Sequence, residues 1–199
     1  MTDTLVLASA SPSRRKLMEN AGLVFKAVAA NVDERAIEQE LLPRALGPGD
    51  LAIELAAAKA LEVSRRFPAA LVIGCDQTMS LGERVFHKPA DRAEARSTLS
   101  ALRGREHRLN SGIVLVREGR ELWRHLSTAD LSMRTFSDAF LESYLDRCGE
   151  KVMESVGCYQ LEGIGIQLFN SITGDYFTIL GLPLLPLLGE LRALGELDG

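Results

Sequence analysis

The run Leu71-Val72-Ile73-Gly74-Cys75-Asp76-Gln77 sets five apolar or small residues in unbroken succession before two polar ones. Five residues suit a strand, and the lack of polar alternation predicts one covered on both faces. Its carboxyl end then delivers Asp76 and Gln77, where ligands gather in α/β sheets. Just upstream, Gly49 to Arg66 has helical patterning, with Leu51, Leu55, Ala58 and Glu62 close to one stripe. Lys59 and Arg65 form its charged rim, and Pro68 closes it.

The same alternation spreads in both directions. Thr4 to Ala8 reads as a strand, Ser9 to Ser13 as a loop, and Arg14 to Ala21 as a helix with Leu17, Met18 and Ala21 on one face and Gly22 as its stop. Phe25 to Ala30 reads as a strand. Downstream, Ala90 to Leu102 predicts a helix capped by Asp91, while Arg108 to Val116 and Glu121 to Thr135 form a hairpin turning at Glu118-Gly119. Ser137 to Cys148 is a helix with an N-cap serine, Gly163 to Phe169 and Tyr176 to Ile179 are short strands, and Pro183 to Leu194 is a closing helix. Helices alternate with strands, so the fold class is α/β, a mixed sheet flanked by helices. No linker, repeat or low-complexity tract divides the chain, and residues 1–199 read as a single domain.

Composition narrows the partners. The 199 residues are 46% hydrophobic, enough to bury about 70% of the unfolded surface. Twenty-three basic and 27 acidic side chains give a net charge of -4, which argues against a nucleic-acid polymer or a membrane surface as partner. Cys75, Cys148 and Cys158 form neither an even set nor a C-x-x-C pair, so a disulfide scaffold and a structural zinc site are disfavoured. Met1 to Ala10 lacks the pattern of a signal peptide. The apolar run near Ile179 to Leu188 contains Pro183 and Pro186 and is too short to span a bilayer. The chain reads as cytoplasmic.

Three stretches can carry chemistry. Ser9-Ala10-Ser11-Pro12-Ser13-Arg14-Arg15 joins a strand to a helix, where small hydroxyl residues, free helix N–H groups and guanidinium groups suit an anion such as phosphate. An ordinary helix cap with solvated arginines has the same pattern. Asp76 is costly at the end of a buried strand unless it meets a cleft, a cation or a metal, although strand-end turns also carry aspartate. Lys59 and Lys88 can face that cleft or stand as solvated charges. Val32-Asp33-Glu34, with Asp76, offers hard oxygen ligands for Mg²⁺ or Mn²⁺, as well as being a common kind of surface turn.

Other motifs fail. No P-loop and no Gly-x-Ser-x-Gly elbow occurs, and Gly163-Ile164-Gly165 lacks the third glycine of a dinucleotide fingerprint because Leu168 stands there. His87, His107 and His125 lack metal-ligand spacing, Cys75 reads as a small core residue, and Trp123 as packing.

Taken together, Leu7-Ala8-Ser9-Ala10-Ser11-Pro12-Ser13-Arg14-Arg15, Val32-Asp33-Glu34, Ala57-Ala58-Lys59-Ala60, Gly74-Cys75-Asp76-Gln77, Lys88-Pro89, Gly157-Cys158-Tyr159-Gln160-Leu161-Glu162-Gly163 and Gly181-Leu182-Pro183 resemble the Maf family of nucleoside triphosphate pyrophosphatases. The order and spacing match over nearly the whole chain. The resemblance implies an elongated α/β fold around a central cleft, often a homodimer, that hydrolyses a nucleoside triphosphate to the monophosphate and pyrophosphate with a divalent cation. It implies Asp76 as proton acceptor and metal ligand, Glu34 as a metal-binding or water-orienting carboxylate, and Ser9, Ser11, Arg14, Lys59 and Lys88 as phosphate-binding residues. Cleansing of the nucleotide pool is the expected role.

Within the family, the positions of Ser13, Gln77 and Glu162 sort substrates. Gln77 and Glu162 resemble the subgroup acting on 7-methyl-GTP, whereas the subgroup acting on dTTP and UTP carries other residues at all three. A carboxylate such as Glu162 can accept from guanine N1–H and its exocyclic amine together. Ser13 departs from the aromatic residue of the first subgroup and lacks its cation–π contribution of roughly 0.5–2 kcal/mol. The expectation is a guanosine-like triphosphate; the alternatives are a dTTP/UTP pyrophosphatase and a non-catalytic nucleotide-binding regulator of cell division.

Overall fold

The computed structural model describes residues 5–198; Thr4, at the head of the first expected strand, lies outside them. Seven strands are described: β1 (Leu5–Ala8), β2 (Phe25–Ala27), β3 (Leu71–Leu81), β4 (Arg84–Phe86), β5 (Glu106–Arg117), β6 (Arg120–Met133) and β7 (Phe169–Thr173). The helices are α1 (Pro12–Asn20), α2 (Glu34–Leu41), α3 (Pro48–Arg66), α4 (Arg92–Leu102), α5 (Asp138–Cys148), α6 (Tyr176–Ile179) and α7 (Leu184–Ala193). The sheet runs β2-β1-β3-β5-β6-β7, with β4 paired to β3. It is mixed: β1 is parallel to β2 and β3, whereas β3–β4 and β6–β7 are antiparallel. The α/β class read from the sequence is the observed one.

Contacts gather into two compact units whose boundaries fall inside β3, β5 and β6 and just after β7. The first holds the described residues up to Gln77, Asn110–Thr128 and those from Asp175 onward. Its strands β1, β3 and β5 are covered on both faces, and side-chain alternation sorts them. Leu5, Leu7, Leu71, Ile73, Cys75, Ile113 and Leu115 pack with Leu17 and Met18 of α1 and Leu184, Leu187 and Leu191 of α7. Val6, Ala8, Val72, Val114 and Val116 pack with Ala56, Ala60 and Val63 of α3. Apolar burial on this scale drives the unit's folding.

Alternation along β3 therefore turns Val72, Gly74 and Asp76 toward α3, and Ile73, Cys75 and Gln77 the other way. α3 approaches closely because its buried face is built from Ala52, Ala56 and Ala60, spaced four residues apart. A Cβ on Gly74 would lie 2.1 Å from the Ala56 carbonyl oxygen, and one on Gly112 would lie 2.7 Å from that of Ala52. The observed stripe replaces the expected one: Leu55 is buried, but Leu51, Ala58 and Glu62 are only partly so.

The second unit comprises Thr78–Leu109 and Ala129–Gly174. Here α4 and α5 pack together and are tied by Arg92 to Glu142 and Asp146 and by Arg96 to Glu142. His107 and Tyr159 share a buried hydrogen bond of 2.7 Å.

Several boundaries differ from the sequence expectations. β3 continues to Leu81, so Asp76 and Gln77 lie within a strand instead of at its end. α1 starts at Pro12 because Ser11, not a later residue, caps it by accepting from the Arg14 N–H. The expected strand Phe25 to Ala30 shrinks to three residues. Gly163 to Phe169 is a 3₁₀ turn over Ile164–Leu168, with β7 following, and Tyr176–Ile179 is helical because Asp175 caps it. The β5–β6 turn falls at Glu118-Gly119 as expected, with both residues at positive φ (52° and 71°), the geometry of a type I′ turn.

Candidate functional site

The first unit brings together most of the residues singled out from the sequence. Asp76 meets Lys59 because β3 turns it toward α3, where Lys59 precedes the close-packed Ala60. Lys59 Nζ donates to Asp76 Oδ1 and also pairs with Glu34 Oε1 at 2.7 Å. The side chains of Asp76 and Lys59 are 10% and 12% exposed, whereas Glu34 is 52% exposed. Asp33 spends its carboxylate on the α2 N-terminus, accepting from the Ala36 N–H at 3.0 Å, which leaves Glu34 to face Lys59. Within Val32-Asp33-Glu34, the cap and the ion pair are thus distinct jobs.

On the other side of β3, Arg14 forms a junction. Its Nε donates to the Gly181 carbonyl oxygen at 2.7 Å, and its Nη1 donates to the Cys75 carbonyl oxygen at 3.0 Å and to Ser9 Oγ at 3.4 Å. Ser9 Oγ also accepts from the Ser11 N–H at 3.2 Å. The loop Ser9 to Ser13 is held by its own hydroxyls, with Ser9 and Arg14 adjacent. Ser13 is half-buried in the first turn of α1. Burial pushes the Cys75 thiol up to about 11, against the opposing influence of Arg14 and Lys59, so Cys75 stays protonated and is a core residue.

Gln77 is held by three acceptors. Its Nε2 donates to Ser111 Oγ at 2.8 Å and to the carbonyl oxygens of Thr178 and Ile179 at 3.0 and 3.2 Å. Ser111 and Thr178 were not among the residues picked from the sequence. The available signal was Asn110-Ser111-Gly112, a polar step immediately before the apolar run Ile113 to Val116.

Lys88 and Glu162 belong to the second unit, and both are exposed. Lys88 lies between β4 and α4, and Glu162 in the turn before Ile164–Leu168. Within this unit a cavity of about 270 Å³ is lined by Tyr144, Arg147, Cys148, Lys151, Tyr159 and Gln160 among others, and by none of the residues assigned a site role from the sequence.

Among the described residues no group of three or more His, Cys, Asp and Glu side chains converges as a metal cage. Two carboxylates, Asp76 and Glu34, do converge on one cationic position, the Lys59 ammonium. That donor set fits Mg²⁺ or Mn²⁺, which take one or two carboxylates and complete their shell with water and phosphate oxygens.

The sequence profile of the family described as Maf-like protein matches residues 4–194. The chain is 60% identical over 199 residues to a protein of Rhizobium etli named 7-methyl-GTP pyrophosphatase, covering 100% of both chains. It is 59% identical over 198 residues to one of the same name from Rhizobium meliloti, again over 100% of both. A protein named nucleoside triphosphate pyrophosphatase from Paramagnetospirillum magneticum is 51% identical over 192 residues, 96% of this chain and 99% of that one.

Proposed function

Because this chain belongs to the Maf-like family, we propose that it hydrolyses a guanosine-type nucleoside triphosphate, with 7-methyl-GTP as the leading substrate, to the monophosphate and pyrophosphate. The observation that carries this reading is the Lys59 ammonium shared between Asp76 and Glu34, one residue along β3 from the Cys75 carbonyl that Arg14 grips together with Ser9. A module that only bound nucleotide would gain nothing from a nearly buried carboxylate opposed to a polyphosphate.

Hydrolysis of a phosphoanhydride asks the protein for a positioned water, a proton acceptor and charge neutralisation, and for no covalent intermediate. Asp76 accepts the proton. Its Oδ1 is engaged by Lys59, and no donor among the described residues occupies its Oδ2, which is free to receive a proton from water. Lys59 keeps Asp76 and Glu34 in register and adds positive charge where the polyphosphate develops negative charge. Ser9, Ser11 and Arg14 supply further phosphate contacts in the first unit, with Arg14 already oriented by Gly181 and Cys75, and Lys88 is the phosphate-binding position that the family resemblance assigns in the second. Asp76 and Glu34 would hold the divalent cation, which supplies charge neutralisation to the phosphate oxygens when bound. Ser13, Gln77 and Glu162 are the base-selecting positions, with Glu162 one acceptor for guanine N–H groups and Gln77 a further amide contact.

We read the chain as a cytoplasmic, homodimeric enzyme of nucleotide-pool cleansing. The free thiols of Cys75, Cys148 and Cys158 support a reducing setting. The decisive experiment is a panel of 7-methyl-GTP, GTP, dTTP, UTP and other triphosphates with Mg²⁺ or Mn²⁺, scored for pyrophosphate and monophosphate. Highest kcat/KM on 7-methyl-GTP is expected. Best turnover of dTTP and UTP would overturn the substrate class, and binding without product would overturn the enzyme.

A further inference from the structure

Ser111 stands in β5 with 0% of its surface exposed, so its hydroxyl must find partners inside the fold. It has two: Ser111 Oγ donates to the Thr178 carbonyl oxygen at 2.8 Å and accepts from Gln77 Nε2 at 2.8 Å. Gln77 Nε2 also faces the carbonyl oxygens of Thr178 and Ile179. A backbone carbonyl can only accept. The nitrogen of the Gln77 amide must therefore be the atom turned toward these groups, and the alternative flip would set oxygen against oxygen. The acceptors are themselves fixed, since Asp175 Oδ2 accepts from both the N–H and the Oγ1 of Thr178, at 2.9 and 3.1 Å.

This arrangement spends the donors of Gln77 inside the protein. Its Oε1 meets no donor among the described residues, and the side chain remains partly exposed. The sequence alone leaves open whether the amide gives or takes a hydrogen bond; the structure offers only the taking side. We propose that the Thr178 and Ile179 carbonyls lock the Gln77 amide with its oxygen outward and that Ser111, bonded to both Gln77 and Thr178, is the positioning residue that braces this lock, making position 77 a reader of N–H donors on the Watson–Crick edge of a guanine-type base. This rests on the nucleoside triphosphate pyrophosphatase reading and assigns hydrogen-bond polarity to one of its selecting positions. A base or analogue lacking the N–H would leave Oε1 desolvated and unpaired.

The test compares GTP with ITP, which lacks the exocyclic amine, and with 1-methyl-GTP, which lacks N1–H, in wild type, Ser111→Ala and Gln77→Met. The expected result is that wild type discriminates against at least one analogue in kcat/KM. Ser111→Ala should weaken that discrimination about two- to tenfold, the scale of one neutral hydrogen bond, and Gln77→Met should weaken it at least as much. Equal loss on all three nucleotides would make Ser111 a structural filler and overturn the proposal, as would unchanged discrimination. A second readout does not need turnover. The Gln77 side-chain amide hydrogens in ¹⁵N-labelled wild type should be protected from exchange, and should exchange faster in Ser111→Ala, where only the two backbone carbonyls still hold them. Fast exchange in wild type overturns the lock itself, whereas absence of pyrophosphate from every nucleotide, with the amide protected, removes the enzymatic reading and leaves the lock standing.

Discussion

Lys59 and Asp76 form an ion pair almost out of solvent, and the carboxylate of Glu34 reaches the same ammonium from α2. Asp76 is thus oriented through one oxygen and available through the other. Asp76→Asn keeps the shape and the packing against α3 but cannot accept the proton. The expected outcome is a loss of about 10²- to 10⁴-fold in kcat, with the thermal transition little changed. Pyrophosphate release measured at saturating triphosphate checks this; near-normal turnover by the folded variant removes Asp76 from the role of base.

The meeting of β3 and α3 depends on Gly74. A methyl group there would lie 2.1 Å from the Ala56 carbonyl oxygen and 2.7 Å from the Ala60 Cβ, both fixed atoms in the middle of a helix. Gly74→Ala must push α3 away from the sheet, carrying Lys59 with it. A destabilisation of about 2–3 kcal/mol is expected from overpacking, seen as a Tm lower by about 4–12 °C in a chain of this size. Calorimetry on the purified variant is the measurement, and an unchanged Tm would mean that α3 can shift without cost.

Periodicity and caps made much of this fold readable before the structure. Leu71 to Cys75, the Glu118-Gly119 turn and the capping residues Asp91 and Ser137 all read correctly, because each is decided by neighbours in sequence. Tyr176 to Ile179 did not: its aromatic and β-branched residues favour a strand, and Asp175 overrides them with two hydrogen bonds to Thr178. Glu34–Leu41 is only about two turns long and buries no side chain, so although Ile37 and Leu41 share a face, α2 leaves little trace. The site follows the same division. Asp76 and Lys59 stand out as charges beside apolar runs, but the pairing of Lys59 with Glu34 needs α2, and the bond from Arg14 to Gly181 spans 167 residues. No local pattern carries a contact of that kind.

His107 gives stability a pH dependence. Burial lowers its pKa from 6.5 to about 4, while Tyr159 holds its Nε2 and no partner meets its Nδ1 among the described residues. In the fold the ring stays neutral, whereas the unfolded chain takes up the proton below 6.5. Its stabilising contribution is therefore complete above pH 6.5 and is lost as pH falls toward 4, by about 3 kcal/mol in all. Urea unfolding at pH 7, 5.5 and 4.5 should show this decline, and His107→Gln should flatten it. The same slope in both proteins would assign the effect to other groups.

Gly181 controls Arg14 at a distance in sequence. Its φ is +86°, a conformation that side-chain-bearing residues resist, and a Cβ would lie 3.1 Å from the Nε and Nη2 of Arg14. The Gly181 carbonyl also receives the Arg14 Nε. Gly181→Ala therefore strains the backbone by about 1 kcal/mol and crowds the guanidinium, loosening its fork. If Arg14 binds the triphosphate, the variant should raise KM by about tenfold or more, the scale of a lost charge-assisted hydrogen bond, with a smaller change in kcat. Arg14→Lys should behave similarly, since an ammonium cannot reach Gly181, Cys75 and Ser9 as a planar fork does. Steady-state kinetics on both variants separates the cases: a fall in kcat at unchanged KM would place Arg14 with the reacting phosphate in the transition state instead of with the bound substrate.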